Sequence, residues 1–524
     1  MTLPPGVSQA DFDEAARLWR EAVGDEWVFT SDADVALYRD PYSPYWDEEE
    51  ERVASAAVAP STVEEVQAVV RIANARRIPL YPISTGRNLA YGGPAPVLSG
   101  SVVLDLKRMN RVLEVDERNA FALVEPGVSY FDLYNHITDA GLDVWIDAPD
   151  PGWGSVIGNA LDGGNGWTAW PFRDHFGAHC GMEVVLANGE IVRTGMGALP
   201  DAGTWQQNKW GYGPWVDGLF RQSNFGVVTK MGFWLMPRPD AYVSGTASVY
   251  READIIPLLD ALNLLENQQV VNGSTSLGSP IAFGGGLGES VAEREARAAE
   301  SGVPYWTCSV PIYGPEAVVR AQMDHAKATF AAIPGCTFTE GELLRTPLSE
   351  EELARVRLVN FGIPNLSTFA MLGRTPANPA PAGGHIGFSP IVPRTGEAVM
   401  AFHRFYAEHL EEASGGEDLG VVGPVMMTVF ERSLVCLIMF PISKDPAANG
   451  KIRAAFRRWV SLAAERGWGE YRSPTVFMDD VAESYAFNDH ALRRLHETLK
   501  DAIDPNGVLS AGRYGVWPKH IRDA

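Results

Sequence analysis

A helix and two strands are predicted by the hydrophobic pattern between residues 61 and 106. The apolar positions at helical spacing are Val63, Val66, Val69, Val70 and Ala73. Ser61-Thr62-Val63-Glu64 has the form of a capping box, with Ser61 accepting a free backbone N–H and Glu64 reaching back. We expect the helix to end near 78–79, and strands to follow over 80–83 and 100–106.

Alternating apolar residues predict two hairpins farther along the chain. One lies within 111–124, and the other joins 182–186 to 190–193 around Asn188-Gly189. Asn-Gly favours a type I′ turn because both residues tolerate positive φ. Hairpins mixed with helices and with strands that need long connections predict an α+β fold.

A chain of 524 residues is too long for one ordinary core, so two domains are expected. The Pro-rich stretch at 236–240 is the predicted boundary. Beyond it, helical patterns occur at 316–331 and 447–466, and a Gly/Pro-rich tail begins at Asp504.

Composition and charge exclude several classes of protein. The formal charge of −23 disfavours nucleic acid, whose affinity for proteins rests on cations. The sequence has no apolar run of about 20 residues and no signal-like N-terminus, so we expect neither membrane nor export, and a cytoplasmic location. The four cysteines are far apart and no histidine cluster occurs, which argues against disulfides and against a metal site.

An acidic run occupies residues 47–51. Clustered like charges repel and stay hydrated, so a solvated loop is the simplest interpretation. A docking patch for a basic partner is the alternative.

Three segments rich in Gly, Ser and Asn lie at 84–93, 149–159 and 223–229. Small residues let backbone amides approach an anion closely, as a pyrophosphate requires. None is a Walker loop, and no GxGxxG follows a strand where a dinucleotide fold would place it. Each segment alone fits a plain turn, but together, and nearly without lysine, they suit a dinucleotide.

The order of these segments resembles the vanillyl-alcohol oxidase and p-cresol methylhydroxylase family of flavoproteins, and within it the bacterial eugenol oxidase branch. The resemblance runs from about residue 52 to 518. The stretches that carry it are Asp150-Pro151-Gly152-Trp153-Gly154-Ser155-Val156, Arg193-Thr194-Gly195-Met196-Gly197-Ala198-Leu199-Pro200, Gly383-Gly384-His385-Ile386-Gly387-Phe388-Ser389-Pro390, Tyr471-Arg472 and Asp504-Pro505-Asn506-Gly507.

The resemblance implies an FAD-binding domain of the p-cresol methylhydroxylase type over 1–240, completed by 490–524, with a cap domain over 241–489. It implies a homodimer, and FAD attached covalently through His385, which by itself would read as a structural or surface histidine. The other residues implied to contact FAD are Ser84, Thr85, Gly86, Arg87, Asn88, Pro149, Gly154, Ser155, Gly158, Asn159, Asn224, Gly226, Val228 and Arg513.

By the same resemblance, Tyr91, Tyr471 and Arg472 surround the phenolic oxygen of the substrate, and Asp150 lies beside the reacting carbon. The implied activity is oxidation of 4-allyl-, 4-alkyl- or 4-hydroxymethylphenols, such as eugenol or vanillyl alcohol. Hydride passes to flavin N5, a p-quinone methide forms, and O2 is reduced to H2O2. Read without the family, Asp150 fits an ordinary turn residue before a proline.

The sequence departs from the family pattern in two places. Where the usual run is Gly-Val-Gly-Tyr-Thr-Pro-Tyr-Gly-Asp-His, residues 164–175 are longer and more aromatic, and Trp167 replaces a pocket tyrosine. With Ser389 and Met427 as further pocket residues, this predicts room for a larger phenol. No histidine precedes His136, so the early-strand histidine that assists flavin attachment in some relatives is missing.

Three other functions stay open. One is a dehydrogenase that passes electrons to a cytochrome, although relatives of that kind often have a flavin-linking tyrosine where His385 stands. Another is an oxidase of sugars or hydroxy acids from the same superfamily. The third is a flavin-binding protein without catalytic activity.

Overall fold

Four β-sheets organise the part of the chain that the structure describes. The computed structural model describes residues 2–281, 288–371, 384–414, 419–427 and 432–524. Helices and sheets alternate irregularly along it, and the α+β prediction is confirmed. None of the helices in these ranges has the length and apolar character needed to cross a membrane.

The first sheet is small and buried on both faces. In spatial order its strands are Val28–Phe29, Ala56–Val58, Val102–Asp105 and Leu80–Ile83. The last three pair in parallel, and the first is antiparallel. Helices Gln9–Val23 and Val63–Arg76 pack against it and share a core that includes Trp19 and Val66. Burial on both faces explains why these strands read as continuous apolar runs.

The second sheet is antiparallel and continues the first region of the chain. In spatial order its strands are Val112–Asp116, Phe121–Val124, Val227–Trp234, His179–Val185 and Ile191–Arg193. Helices Tyr130–Asp139 and Val156–Leu161 contribute to its core. A third sheet has two strands, Val144–Trp145 and Met236–Pro237.

The fourth sheet is the largest and begins at Ala241. Its main path is Thr337–Glu340, Ala241–Val249, Trp306–Gly314, Ser276–Gly278, Val422–Met427, Ser433–Ile442 and Gly384–Phe388, with Leu344–Arg345 and Ile391–Pro393 pairing beside it. The helices that pack on it are Ile255–Asn267, Glu316–Ala331, Gly396–Ser414 and Pro446–Glu465. Among the described residues, all strands after residue 240 belong to this sheet, which is consistent with a separate cap over 241–489.

The two faces of the fourth sheet have different neighbours. Along Ser433–Ile442, Cys436 and Ile438 are buried in the core that the helices cover, whereas Leu437 and Met439 line a cavity. Successive side chains of a strand point to opposite faces, so one sheet supports the helical layer and forms a cavity wall.

The remaining helices are short or lie near the C-terminus. They are Asp32–Val35, Val291–Ser301, Glu350–Leu353, Ser367–Met371, Met478–Ser484, Phe487–Ile503 and Lys519–Arg522. After Phe487–Ile503 the chain returns to the first sheet, where Leu80 exchanges backbone hydrogen bonds with Val508 and Ser510. These bonds support the proposal that 490–524 completes the first region.

Two local predictions were wrong in detail. The N-cap of Val63–Arg76 is Thr62, whose hydroxyl accepts from the N–H of Glu65; Glu65, not Glu64, reaches back to the N–H of Ser61. At Asn188-Gly189 only Gly189 has positive φ, so the turn is not type I′. The N–H of Gly189 bonds to the carbonyl of Leu186, as in a type I turn that ends on a left-handed glycine.

The cap assignment predicts an order of stabilities. Thr62→Ala should lower the free energy of unfolding by about 1 kcal/mol, because a helix N–H loses its acceptor. Ser61→Ala should cost less, since the backbone N–H that binds Glu65 is retained. Denaturant unfolding of both variants would measure this, and a larger loss for Ser61→Ala would contradict it.

Candidate active site

A cavity of about 730 Å³ lies between the glycine-rich segments of the first region and the fourth sheet. All the site residues expected from the sequence line it except Asn224 and Ser389. Those that line it are Ser84, Thr85, Gly86, Arg87, Asn88, Tyr91, Pro149, Asp150, Gly154, Ser155, Gly158, Asn159, Trp167, Gly226, Val228, His385, Met427, Tyr471, Arg472 and Arg513.

Glycines bring two segments of this wall into close contact. A Cβ added at Gly158 would lie 2.3 Å from the Ser84 hydroxyl, so the loop after strand Leu80–Ile83 packs directly on helix Val156–Leu161. Ser155 caps that helix by accepting from the N–H of Gly158 at 3.0 Å. These contacts hold the two segments together along one side of the cavity.

His385 reaches the cavity from strand Gly384–Phe388. Phe388 belongs to the core under the helices, and the alternation of the strand turns His385 and Gly387 to the opposite face. A Cβ at Gly387 would lie 2.9 Å from the Tyr91 hydroxyl. The glycine therefore lets the Tyr91 ring lie against the strand that carries His385.

Tyr91, Tyr471 and Arg472 meet at one end of the cavity. The Arg472 guanidinium carbon lies 4.3 Å from the centroid of the Tyr91 ring. Burial raises the pKa of Tyr91 well above its ordinary value, and the neighbouring Arg472 only partly opposes this. Tyr91 is therefore a neutral hydrogen-bond donor near pH 7.

Ser389, expected as a pocket residue, is placed behind Tyr91 instead. The two hydroxyls share a hydrogen bond, and the Tyr471 N–H donates to the Ser389 carbonyl at 3.4 Å. The Ser389 N–H donates to the Glu470 carboxyl group at 2.8 Å. Burial raises the pKa of Glu470 well above its ordinary value, and the hydrogen bond from the Ser389 N–H only partly opposes this. Ser389 thus orients both tyrosines from behind.

The carboxylate of Asp162 binds the charged side chains at the end of the cavity where Tyr91, Tyr471 and Arg472 meet. It accepts from Arg472 at 3.1 Å and from Arg513 at 2.7 Å. Asn88 and the Tyr514 hydroxyl donate to it as well. Burial acts against ionisation of Asp162, but Arg472 and Arg513 outweigh it and hold its pKa below the ordinary value.

Asp150 forms a second polar group in the cavity wall. Its carboxylate accepts from the Ser367 hydroxyl at 3.1 Å and from the Thr368 N–H at 3.2 Å. The nearest guanidinium nitrogen of Arg357 is 3.9 Å away. Arg357 itself stacks on the Trp167 ring, with its guanidinium carbon 3.5 Å from the ring centroid.

Asn224 lies outside the cavity lining. Its side-chain amide donates to the carbonyls of Ser510 and Val516, and its own carbonyl accepts from the buried Lys500. Asn224 therefore ties the C-terminal segment to the strand Val227–Trp234, and contact with a cofactor remains a prediction.

The lining fits FAD. A Cβ at Gly154 would have as its nearest neighbour the Arg87 carbonyl at 3.9 Å, so this backbone faces open space. No lysine is among the described residues that line the cavity. A dinucleotide held by backbone amides suits such a wall better than a phosphate gripped by lysine.

Comparison with known proteins agrees with this fit. Residues 54–195 match the FAD binding domain family model. The chain is 33% identical to the 4-cresol dehydrogenase [hydroxylating] flavoprotein subunit of Pseudomonas putida, over 98% of this chain and 97% of that protein. The chain belongs to the p-cresol methylhydroxylase family of flavoproteins. The resemblance inferred from the motifs is thereby confirmed.

Solved structures support the same family. The 4-ethylphenol oxidase of Gulosibacter chungangensis, in complex with isoeugenol, superposes with a TM-score of 0.85 at 34% identity, covering 99% of this chain and all of that one. The p-cresol methylhydroxylase structure with bound substrate also gives 0.85, at 32% identity and 99% coverage of both chains. The chain is thus an FAD-dependent oxidoreductase of the p-cresol methylhydroxylase family.

Sequence reasoning missed Asp162 and Arg357. The partners of Asp162 lie about 310 and 350 positions away along the chain, so no local spacing marks the cluster. The available signal was an acidic residue directly after the apolar pair Ala160-Leu161 and directly before two glycines. Arg357 stands among surface-like charges at 351–357 and carries no such signal.

The Asp162 cluster predicts a large loss of stability on neutralisation. Asp162→Asn should lower the free energy of unfolding by about 3–5 kcal/mol, because the buried guanidinium group of Arg472 and the partly buried one of Arg513 lose their counter-charge. Glu342→Gln is the matched control, since its partner Arg355 is exposed and such pairs contribute at most about 1 kcal/mol. Denaturant unfolding of the holoenzyme would compare them; equal losses would contradict the role given to Asp162.

Proposed function

We propose that this protein oxidises para-substituted phenols with FAD and that O2 is the electron acceptor, giving H2O2. The observation that carries the proposal is the arrangement of Arg472 beside Tyr91 and Tyr471 at one end of the cavity that His385 lines. The names of two relatives, 4-cresol dehydrogenase and 4-ethylphenol oxidase, describe para-alkylphenols as their substrates.

Arg472 and the two tyrosines bind the phenol as its anion. A free phenol has a pKa of about 10, and a guanidinium with neutral hydroxyl donors lowers it by stabilising the phenolate. Arg472 keeps its charge and position because Asp162 holds its Nε and Asn88 its terminal nitrogen. Negative charge on the oxygen delocalises to the para carbon and eases loss of hydride from the benzylic carbon.

Bound FAD supplies the hydride acceptor and, once reduced, the group that reacts with O2. Asp150 is the residue that we assign to the benzylic carbon. Its hydrogen-bonded carboxylate stabilises positive charge there and then serves as the base for water that adds to the quinone methide.

A cytochrome-linked dehydrogenase is the second candidate, because an acidic run could dock a basic haem protein. Three of its five carboxylates are already used, since Glu48 pairs with Arg453 and both Asp47 and Glu51 pair with Arg39. This reduces the charge left for a partner. The chain also has His385 at the position where cytochrome-linked relatives often have tyrosine. Both observations favour the oxidase.

The phenolate site predicts that 4-ethylphenol reduces the flavin and its O-methyl ether does not. Arg472→Ala should slow flavin reduction about a hundredfold to a thousandfold. It should also move the rate's pH profile to higher pH, since the bound phenol regains a pKa nearer 10.

Anaerobic stopped-flow spectroscopy measures the reduction rate, and Arg355→Gln on the exposed surface is the control. H2O2 formed after admission of air, compared with reduction of an added cytochrome c, decides the acceptor. Equal rates for phenol and ether would rule out the phenolate site.

Covalent attachment of the flavin through a ring nitrogen of His385 is the second part of the proposal. Flavin should stay on the polypeptide after acid denaturation of the wild type. His385→Ala should release it on denaturation while still binding it in the native state, because the glycine-rich wall is unchanged. Release of free flavin from the denatured wild type would contradict the covalent link.

A further inference from the structure

Arg357 is a cation in the cavity wall that phenol oxidation as proposed does not use. It precedes the short 3-10 helix Leu358–Phe361 and lines the cavity, and 41% of its side-chain surface is exposed. A ligand in the cavity can therefore reach its guanidinium group.

The stacking on Trp167 leaves the donors of Arg357 available. The indole covers one face of the guanidinium at 3.5 Å, whereas the N–H groups point outward in the guanidinium plane. Among the residues that the structure describes, the closest carboxylate oxygen is Asp150 Oδ2 at 3.9 Å, beyond hydrogen-bonding distance. Asp150 already accepts from Ser367 and Thr368, so it does not consume these donors.

Arg357 lies apart from the phenolate end of the cavity. The charged and phenolic groups within its electrostatic reach are Asp150, Tyr242 and Tyr313. Those that act most strongly on Arg472 are Asp162, Tyr471, Tyr91 and Tyr514. Of the four arginines among the described residues that line the cavity, Arg87, Arg357, Arg472 and Arg513, Arg357 is the one beside Asp150, and Arg472 is the one that we place at the phenol oxygen.

We infer that Arg357 recognises a carboxylate on the para side chain of the substrate. The inference rests on the proposed function, which assigns Asp150 to the benzylic carbon and so places Arg357 just beyond that carbon. A carboxylate is planar and accepts two parallel N–H bonds from the edge of a guanidinium, which is the part of Arg357 that the indole leaves open. The substrate class is that of 4-hydroxyphenyl alkanoic acids.

Desolvation strengthens this preference. Burial lowers the pKa of Arg357 from its ordinary value, with Asp150 acting in the opposite sense, yet a guanidinium does not give up its proton in proteins. A cation with part of its hydration removed gains more from a ligand anion than a fully hydrated one does. Trp167 supports the same role, because indole is the best aromatic platform for a guanidinium.

The simplest rival explanation is that Arg357 only balances the charge of Asp150. The two roles differ in how they respond to ligand charge. If Arg357 only balanced Asp150, the pair would be neutral overall and the wild type would not prefer the acid, whereas a recognition residue makes the acid bind more tightly than the amide.

The test compares 3-(4-hydroxyphenyl)propanoate with its neutral amide. The dissociation constants of both ligands are measured by anaerobic calorimetry on the holoenzyme. The flavin is reduced beforehand, because a reduced flavin cannot accept hydride and the ligand therefore stays unreacted. The wild type should bind the acid about 10- to 100-fold more tightly than the amide. Raising the salt concentration should weaken the binding of the acid and leave the binding of the amide unchanged.

Arg357→Gln should remove the difference between acid and amide, and Arg357→Lys should retain part of it, since the charge stays but the planar fork is lost. Arg355→Gln, two residues away and paired with Glu342 on the surface, should keep the wild-type ratio. The wild-type ratio is informative by itself, so a poorly folded variant does not spoil the test.

Equal affinity of the wild type for acid and amide would overturn the inference. An equal loss of affinity for both ligands in Arg357→Gln would overturn it as well. Turnover of neutral 4-ethylphenol separates this failure from that of the proposed function. If 4-ethylphenol is oxidised and the acid is not preferred, only the role of Arg357 fails. If none of these phenols reduces the flavin, the proposed function fails, and this inference with it.

Discussion

The buried carboxylate of Asp162 is the interaction on which the site depends. Two guanidinium groups near the bottom of a cavity repel each other and lose hydration, a combination that is unfavourable without a counter-charge. Asp162 binds Arg472 and Arg513 through different oxygens and so fixes both at once. Because Arg513 comes from the C-terminal segment, the same carboxylate also anchors that segment to the first region.

The alternation of one strand face explains how the cap contributes to the site. His385, Leu437 and Met439 face the cavity, while their neighbours along the strands belong to the core beneath the helices. The position of His385 is therefore set by the packing of the whole helical layer. A histidine on a loop would lack this support, and the flavin attachment that we propose for His385 would gain precision from a rigid strand.

Local sequence patterns were sufficient for several elements, and the family resemblance supplied most of the residues of the cavity wall. The strand at 80–83 and the helix at 316–331 were predicted with the bounds that the structure has, because apolar spacing and flanking turn residues define them locally. Ends that depend on one hydrogen bond were less predictable, as the shift of the cap from Ser61 to Thr62 illustrates.

Groups that meet only through tertiary contacts escaped sequence reasoning. Asp162 and Arg357 acquire their surroundings from segments far away in the chain, and periodicity carries no information about such pairs. Family motifs identified Tyr91 and Arg472 but not the carboxylate that holds Arg472 in place. The resemblance names the residues expected to contact the ligand, whereas the groups that hold those residues in place are visible only in the fold.

The net charge of −23 does not decide whether an anionic ligand binds in the cavity. The charges of the surface act over a Debye length of about 8 Å at physiological salt, so their repulsion is weak inside the cavity. There the balance is set by the nearest groups, and Arg472 and Arg357 are closer to a ligand than any part of the acidic exterior. The recognition that we propose for a phenolate, and for a second anionic group, is therefore a local property of the cavity wall, independent of the overall charge.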